Sequence, residues 1–267
     1  MEHDRRDDPS PLVACSRRRD HAEASVFAPA NLLREARRQR ALPPGDVPPV
    51  CLLDPDGDLV RHLRETGRAR RSAAWACYHT ELWETDGKGA RIGVVGCAVG
   101  APFAVLVAEQ LFASGCKLLV SVTSAGRVAT DLPAPCVILI DRALRGEGTS
   151  GCYLPPAPFA AIRPAALAAA EAGLARAGTA TLRGATWTTD APYRETASAL
   201  AAAAAVGVLA VEMEAAALYA FAEARDRPVV CFAHVTNQMA QIEGDFEKGP
   251  DGGAELTLAL ALAVAGG

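Results

Sequence analysis

The stretch Val206–Tyr219 reads Val-Gly-Val-Leu-Ala-Val-Glu-Met-Glu-Ala-Ala-Ala-Leu-Tyr and joins an apolar run to two acids and an alanine-rich segment. The run Val206–Val211 predicts a buried strand, and the residues from Glu214 onward predict a helix. In open α/β sheets, ligands bind beyond the carboxyl ends of the strands. Glu212 and Glu214 are therefore expected to face a ligand.

The chemistry of the Glu-Met-Glu segment favours a sugar as that ligand. A carboxylate accepts two hydrogen bonds from vicinal hydroxyl groups, and bonds to a charged acceptor are among the stronger ones. Met213 is then expected to pack on the apolar face of the sugar ring. The alternative is that both acids favour a helix N-terminus while Met213 fills the core. The other segments of the chain favour the sugar site.

Apolar runs and helical segments alternate along the chain, which is typical of an α/β fold with three layers and a mixed central sheet flanked by helices. Strands are predicted at Val50–Leu53, Ala74–Trp83, Ile92–Val95, Leu118–Val122, Val137–Ile140, Val206–Val211 and Val229–Val235. Helices are predicted at Asn31–Arg40, Gly57–Arg64, Pro102–Ser114, Phe159–Ala177, Glu214–Ala224 and Ala254–Val264.

Length and composition limit the number of domains that the chain can form. A chain of 267 residues is long enough for one sizeable core, and we expect a single domain over residues 25–267. Residues 1–24 are rich in Arg, Asp and Pro, and we expect a disordered N-terminal arm without the apolar core of a signal peptide. The remaining apolar stretches are too short or too interrupted for a membrane helix.

Charge and cysteine content narrow the function classes. The formal net charge of −4, without a basic region, argues against nucleic acid as a partner. The eight cysteines are scattered without a Cys-x-x-Cys pair, which argues against a zinc or redox site and favours a reducing, cytoplasmic location. A small and nearly neutral ligand is expected, with no metal and no membrane contact.

Several segments occur in an order that resembles a known family. Besides Glu-Met-Glu they are Leu52–Gly57, Gly93–Pro102, Ser121–Gly126, Arg145–Ser150 with Tyr153–Pro156, Trp187–Thr196 and Val235–Asn237. The chain resembles the nucleoside phosphorylase and nucleosidase superfamily, in the branch of uridine phosphorylase, purine nucleoside phosphorylase and methylthioadenosine nucleosidase. The resemblance implies a nucleoside phosphorylase-like α/β domain that cleaves the N-glycosidic bond of a nucleoside.

The resemblance also implies roles for individual residues. Glu214 would hold the ribose hydroxyls, with Met213 against the ring and Glu212 assisting. Asn237 stands where the family often has an acidic aspartate, and its amide suits the lactam edge of a pyrimidine or 6-oxopurine rather than proton donation. Further base contacts are predicted at Gln238, Thr188, Thr189, Asp190, Tyr193 and Arg194, although residues 188–194 equally fit a capped loop with the tyrosine packed inside.

The segments that would bind the nucleophile, which is phosphate or water, depart from the pattern of phosphorolytic relatives. Those relatives hold phosphate with Gly-Asp-Pro-x-Arg and further arginines. Here the first motif is Leu-Asp-Pro-Asp-Gly at Leu53–Gly57, the second begins with Ser121, and a third arginine position falls near His79. Losing two charge-assisted hydrogen bonds of about 1.5–3 kcal/mol each weakens phosphate binding by about two to four decades.

Acids remain at this corner, where Asp54, Asp56 and Asp58 follow the first strand. A carboxylate repels phosphate but can position and deprotonate water, so water is predicted as the acceptor. The alternative for Asp54 and Asp58 is a turn or helix-cap role. The predicted catalytic residues are Glu214, Asp56, Asp58 and Asn237, with Ser124 and Gly126 as substrate contacts.

Two other functions stay open. Arg127, Arg142 or Arg145 can restore an anion site, which would make the protein a phosphorylase with phosphate as co-substrate and no cofactor. The altered residues also fit a non-catalytic nucleoside-binding protein. A dinucleotide site is disfavoured, because the glycine turn Gly93–Gly100 lacks the Gly-x-Gly-x-x-Gly spacing.

Assembly is implied by the resemblance alone. Relatives form dimers or hexamers in which a neighbour completes the pocket. We therefore expect a homo-oligomer, with His79 and Tyr153 as the residues that reach a neighbouring nucleoside site.

Overall fold

Ten strands and seven α-helices make up the computed structural model, which describes residues 20–87, 89–237, 245–246 and 248–266. The strands are β1 (Val50–Asp54), β2 (Arg70–Arg71), β3 (Trp83–Gly87), β4 (Ala90–Gly96), β5 (Leu118–Arg127), β6 (Cys136–Gly146), β7 (Phe159–Ala161), β8 (Leu182–Thr189), β9 (Val208–Glu212) and β10 (Val229–Asn237). The helices are α1 (Pro29–Arg40), α2 (Asp58–Glu65), α3 (Ala101–Ala113), α4 (Pro164–Ala177), α5 (Ala197–Ala205), α6 (Ala215–Ala224) and α7 (Ala254–Ala265).

The strands form one mixed sheet in the order β10-β6-β8-β9-β5-β1-β4-β3-β2, with β7 beside β6. β1 runs parallel to β4 and β5, whereas β9 runs antiparallel to β5. β10 also pairs with β5, so β5, β9, β8, β6 and β10 close into a ring. This closure places Gly126 on β5 between Val211 on β9 and Asn237 on β10.

The helices pack in two groups, one of α2, α4 and α7 and the other of α1, α3 and α6. They flank the central sheet, and the three-layer α/β prediction is confirmed. Strands were predicted correctly near β1, β4, β5, β6, β9 and β10. The predicted helix Phe159–Ala177 begins later, at Pro164, because β7 precedes it and proline favours the first turn of a helix.

The predicted strand Ala74–Trp83 is wrong. This segment is irregular, and its backbone carbonyls are bound by arginines of α1 instead of by a neighbouring strand. Arg37 Nη1 donates to Ala74 O at 2.7 Å, and Arg40 Nη1 donates to Cys77 O at 2.8 Å. The apolar residues here pack under α1, which imitates a strand in the sequence pattern.

Two elements that the sequence did not predict are β8 and α5. β8 contains three threonines and a glycine, so its pattern lacks the continuous apolar run expected of a buried strand. α5 is almost all alanine and ends at Ala205, and Gly207, two residues later, adopts a φ of 82° that glycine accommodates readily. β8 matters for the site because it pairs directly with β9.

The division into an arm over residues 1–24 and one domain over 25–267 stays a prediction. Residues 1–19 lie outside the described residues, while His21 Nε2 lies 3.2 Å from Gly151 O. Among the helices described, none combines the length and the apolar character needed to cross a membrane.

Candidate active site

The ends of β5, β9 and β10 and the turn after β8 surround a cavity of about 300 Å³. The β-sheet closure explains the meeting of distant segments, because Gly126 pairs with neighbours on both β9 and β10. Six residues predicted from the sequence line this cavity, namely Ser124, Gly126, Tyr193, Glu212, Met213 and Asn237.

Glu212 lies at the end of β9 with 3% exposure and accepts four hydrogen bonds from the protein. The hydroxyls of Thr186 and Thr188 donate to Oε1, and the amides of Glu214 and Ala215 donate to Oε2 at 2.7 Å each. Four donors fill the usual acceptor capacity of a carboxylate. Glu212 therefore fixes the start of α6 here, and its predicted contact with a sugar stays a prediction.

Glu214 contrasts with this arrangement because it is 1% exposed and only half satisfied. Oε1 accepts a hydrogen bond of 2.7 Å from Gly100 N, while Oε2 is buried without a partner among the described residues. Burial, together with the charge of Glu212, raises the pKa of Glu214 to about 8, although the Gly100 amide and the nearby Thr123 hydroxyl favour the charged form. A buried acceptor without a donor costs about 1–3 kcal/mol, so the site is poised for a ligand hydroxyl.

Asp56 lies in the turn after β1 and contacts Ser124 on β5. Ser124 N donates to Asp56 Oδ2 at 3.0 Å, and Ser124 Oγ donates to Asp56 Oδ1 at 3.0 Å. Lys248 Nζ lies 3.1 Å from Asp56 Oδ2. An amide, a hydroxyl and an ammonium group thus converge on one carboxylate, which is a donor set suited to an oxyanion.

Asp58 and Asp54 have mainly structural contacts. Asp58 begins α2 and is paired with Lys248 at 2.6 Å and with Arg61 at 2.9 Å. Asp54 is 4% exposed and accepts from Val60 N at 3.0 Å, and burial raises its pKa to about 6. The turn alternative therefore fits Asp54, whereas Gly57 is the N-cap of α2 and Asp58 is held in ion pairs, so catalysis by Asp58 stays a prediction.

Lys248 is the residue at this corner that sequence reasoning missed. Burial alone would lower the pKa of Lys248, but its hydrogen bonds and charge contacts with Asp58 and Asp56 raise it overall. Its position between two acids depends on how the segment before α7 folds against α2, and no motif in the sequence marked it.

Glu195 and Phe246 also line the cavity and were not predicted. Desolvation raises the pKa of Glu195. Glu195 belongs to the segment Trp187–Thr196 that carried the family resemblance, so its acidic character was the signal available. Tyr193 is 99% exposed and Phe246 is 57% exposed, which leaves two aromatic side chains at the cavity mouth.

Three of the predicted base contacts, Thr188, Thr189 and Asp190, form hydrogen bonds within the protein. Thr188 donates to Glu212 and accepts from Ala216 N, Thr189 accepts from Ala191 N, and Asp190 accepts from Gly148 N. The capped-loop alternative fits Thr189 and Asp190, although Tyr193 is exposed rather than packed inside.

The remaining predicted contacts lie away from the cavity lining. Tyr153 donates to Glu109 Oε1 at 3.1 Å and packs edge-on against Phe221. His79 and Arg194 are exposed. Gln238 lies outside the described residues.

Residues 50–263 match the family model described as the phosphorylase superfamily. The chain belongs to the phosphorylase superfamily. A DeoD-type purine nucleoside phosphorylase of Shewanella denitrificans is 30% identical over 57% of this chain and 65% of the relative, which is just under two thirds of its length. A uridine phosphorylase of Thermococcus kodakarensis is 30% identical over 43% of this chain and 41% of the relative.

Solved structures of superfamily members share the fold. Uridine phosphorylase from Vibrio fischeri has a TM-score of 0.68 at 21% identity, covering 83% of this chain and 93% of that one. Purine nucleoside phosphorylase from Toxoplasma gondii, solved with immucillin-H, has a TM-score of 0.69 at 18% identity, covering 82% and 90%. At these identities the likeness concerns the fold.

Proposed function

We propose that this chain cleaves the N-glycosidic bond of a nucleoside with water as the acceptor. Membership of the phosphorylase superfamily supports a nucleoside as substrate, as do the names of the purine nucleoside and uridine phosphorylases that the chain resembles. The observation that favours water is the state of Asp56, whose carboxylate already occupies the donors of Ser124 and Lys248.

The sugar is held by Glu214. Its Oε2 lacks a donor among the described residues, and the vicinal hydroxyls of a ribose would supply one. Donation to the carboxylate favours its charged form, so binding opposes the rise in pKa caused by burial. The charged carboxylate then stabilises positive charge that develops on the sugar as the base departs. Met213, which precedes Glu214 in the chain, lines the cavity and packs on the ring.

The base lies toward β8 and β10. In the sheet, β9 and β5 stand between β8 and β1, so a sugar beside Met213 has the turn after β8 on one side and Asp56 on the other. Asn237, Glu195 and Tyr193 line the β8 and β10 side. The amide and the carboxyl group are suited to hydrogen-bond donors and acceptors on a base edge, and the tyrosine ring is suited to stacking.

The reaction is balanced by a single water molecule. Asp56 accepts a proton from water as the water oxygen bonds to the anomeric carbon of the sugar. The bond between that carbon and the base nitrogen breaks, its electron pair leaves with the base, and the base takes up a proton from solvent. Asp56 then releases the proton that it received, so one water is added across the bond in total. Ser124 and Lys248 hold Asp56 in place during this step.

Phosphorolysis is the second candidate, and Lys248 is the observation that favours it. The ammonium group of Lys248 and the two donors of Ser124 all contact the Asp56 carboxylate, so these three groups lie close together. If Asp56 turned away, these three groups would form a site for phosphate. Hydrolysis is preferred because the Asp56 carboxylate fills that position.

The test is release of free base from uridine, inosine and methylthioadenosine in phosphate-free buffer, followed by a phosphate titration. We expect release without phosphate, and a loss of about a hundredfold or more in Asp56→Asn, as removal of a general base causes. Asp86→Asn is the matched control, because Asp86 is exposed on β3. Strict dependence on added phosphate would establish phosphorolysis instead, and calorimetric binding without any base release would indicate a nucleoside-binding protein.

We also propose a cytoplasmic homo-oligomer, a dimer or a hexamer, without a metal, a nucleic-acid partner or a membrane contact. Light scattering during size-exclusion chromatography measures the assembly. Exposed His79 and the Tyr153 loop are the positions at which cross-linking would locate a neighbour.

A further inference from the structure

His234 is a buried, titratable residue that the proposed reaction does not use. It lies on β10 with 7% exposure. In the parallel pairing of β10 with β5, His234 is the register partner of Ser124. Side chains of paired residues on adjacent strands point to the same face of a sheet. The imidazole therefore shares a face with the Ser124 hydroxyl, which donates to Asp56.

The segment before α7 closes the other side of His234. A Cβ atom on Gly253 would lie 3.2 Å from His234 Cε1, so backbone packs directly against the ring. Lys248 belongs to the same segment, and its charge acts on the imidazole, as does the charge of Asp56. Asp58 acts indirectly, through its 2.6 Å contact with Lys248.

These neighbours keep the imidazole uncharged. Burial, reinforced by the positive charge of Lys248, lowers the pKa of His234, while Asp56 acts in the opposite direction. A neutral ring leaves Lys248 free to pair with Asp56. A protonated ring would place a second cation beside Lys248 and compete with it for the same carboxylate.

We infer that His234 is a positioning residue for Asp56, and that its neutral form maintains the arrangement in which Lys248 and Ser124 hold the Asp56 carboxylate. This inference rests on the proposed role of Asp56 as the group that receives the proton of water. At acid pH, protonation of His234 then disturbs the contacts that hold Asp56. The contact between Glu214 and the sugar does not change.

The first test follows the imidazole by NMR and needs no activity. The pKa of His234 is expected to fall in Asp56→Asn and to rise in Lys248→Met, because the two charges act on the ring with opposite signs. An unaltered His234 titration in both variants would overturn the inference, and circular dichroism confirms that each variant is folded.

The second test is the pH profile of base release. In His234→Gln, the acid limb of kcat at saturating nucleoside, where the sugar hydroxyls keep Glu214 in its charged form, is expected to move to lower pH, whereas His21→Gln leaves the profile unchanged. A structural role alone would lower the rate at every pH and leave the limb in place, which would contradict positioning of Asp56. If the wild-type protein releases no base at any pH, the proposed function fails, and the NMR titrations still decide whether His234 is coupled to Asp56 and Lys248.

Discussion

The β9–α6 junction places two acids at a strand end and the β1–α2 region places three, but the two regions satisfy those acids differently. In the turn, Lys248 lies 3.1 Å from Asp56 and 2.6 Å from Asp58. In the junction, Glu212 is surrounded by neutral donors, and Glu214 receives one hydrogen bond from Gly100. The surroundings, rather than the residue type, decide whether an acid is a fixed acceptor, part of an ion pair or an unsatisfied group.

The β9–α6 junction and the β1–α2 turn also differ in proton binding. No cation among the described residues offsets the burial of Glu214, and its pKa rises to about 8, which favours the protonated form at neutral pH. A sugar hydroxyl that donates to this group favours its charged form. The junction therefore couples ligand binding to proton release, whereas the turn is organised around a cation that is already present.

Among the substitutions that test this difference between the two regions, Glu214→Gln is expected to have the largest effect, and the effect is on activity. We expect kcat/KM to fall by about 10²–10³, the loss that follows removal of one preorganised contact to the transition state. The measurement is base release from the best nucleoside substrate, with the exposed Glu65→Gln as control. In the wild-type protein, kcat/KM should also rise as the pH passes through about 8, since the charged form is the active one. Unchanged kinetics in the variant would show that the unsatisfied oxygen is not the sugar contact.

Glu212→Gln is expected to affect stability strongly. The glutamine NH₂ group must face donors that now meet a carboxylate, which costs about 1–3 kcal/mol in the free energy of unfolding. Urea denaturation compares this variant with the wild type. If the stability is unchanged while activity is lost, Glu212 contacts the substrate and the proposed contrast between the two acids is wrong.

The pH dependence of stability separates Glu214 from the other acids. The folded state holds a proton on Glu214 up to a pKa of about 8, compared with an ordinary value of 4.5. The folded state therefore binds more protons than the unfolded state between these values, and the free energy of unfolding decreases as the pH rises through that window. Glu214→Gln should remove this loss, so the variant gains on the wild type at pH 8 but not below about pH 4.5. An equal difference at both pH values would rule out the raised pKa.

Thr186→Val tests the smallest contribution at the junction. It removes one of four hydrogen bonds to Glu212, a neutral hydroxyl donor at 3.1 Å. We expect a loss of about 1 kcal/mol in the free energy of unfolding, with little change in KM. A larger effect on KM than on stability would indicate that Glu212 moves when substrate binds.

Much of the fold was accessible from local patterns. The runs that became β1, β4, β5 and β10 are apolar because those strands are buried, and burial leaves a trace in the sequence. Ala74–Trp83 misled because its apolar residues pack beneath α1 while arginines bind its carbonyls. β8 was missed because its threonine hydroxyls face Glu212, so a polar residue there is a partner inside the fold rather than a mark of exposure.

The sequence by itself determined the family and the strand-to-helix junction at Glu-Met-Glu, since each is a matter of residue type in contiguous segments. Only the tertiary structure decided which acid is satisfied and which is not. Lys248, His234 and Thr188 come from distant parts of the chain, and they meet Asp56, Ser124 and Glu212 because the sheet closes through β10 and the segment before α7 packs on α2. Hydrogen-bond saturation and electrostatic coupling depend on such distances in space, which local sequence patterns do not encode.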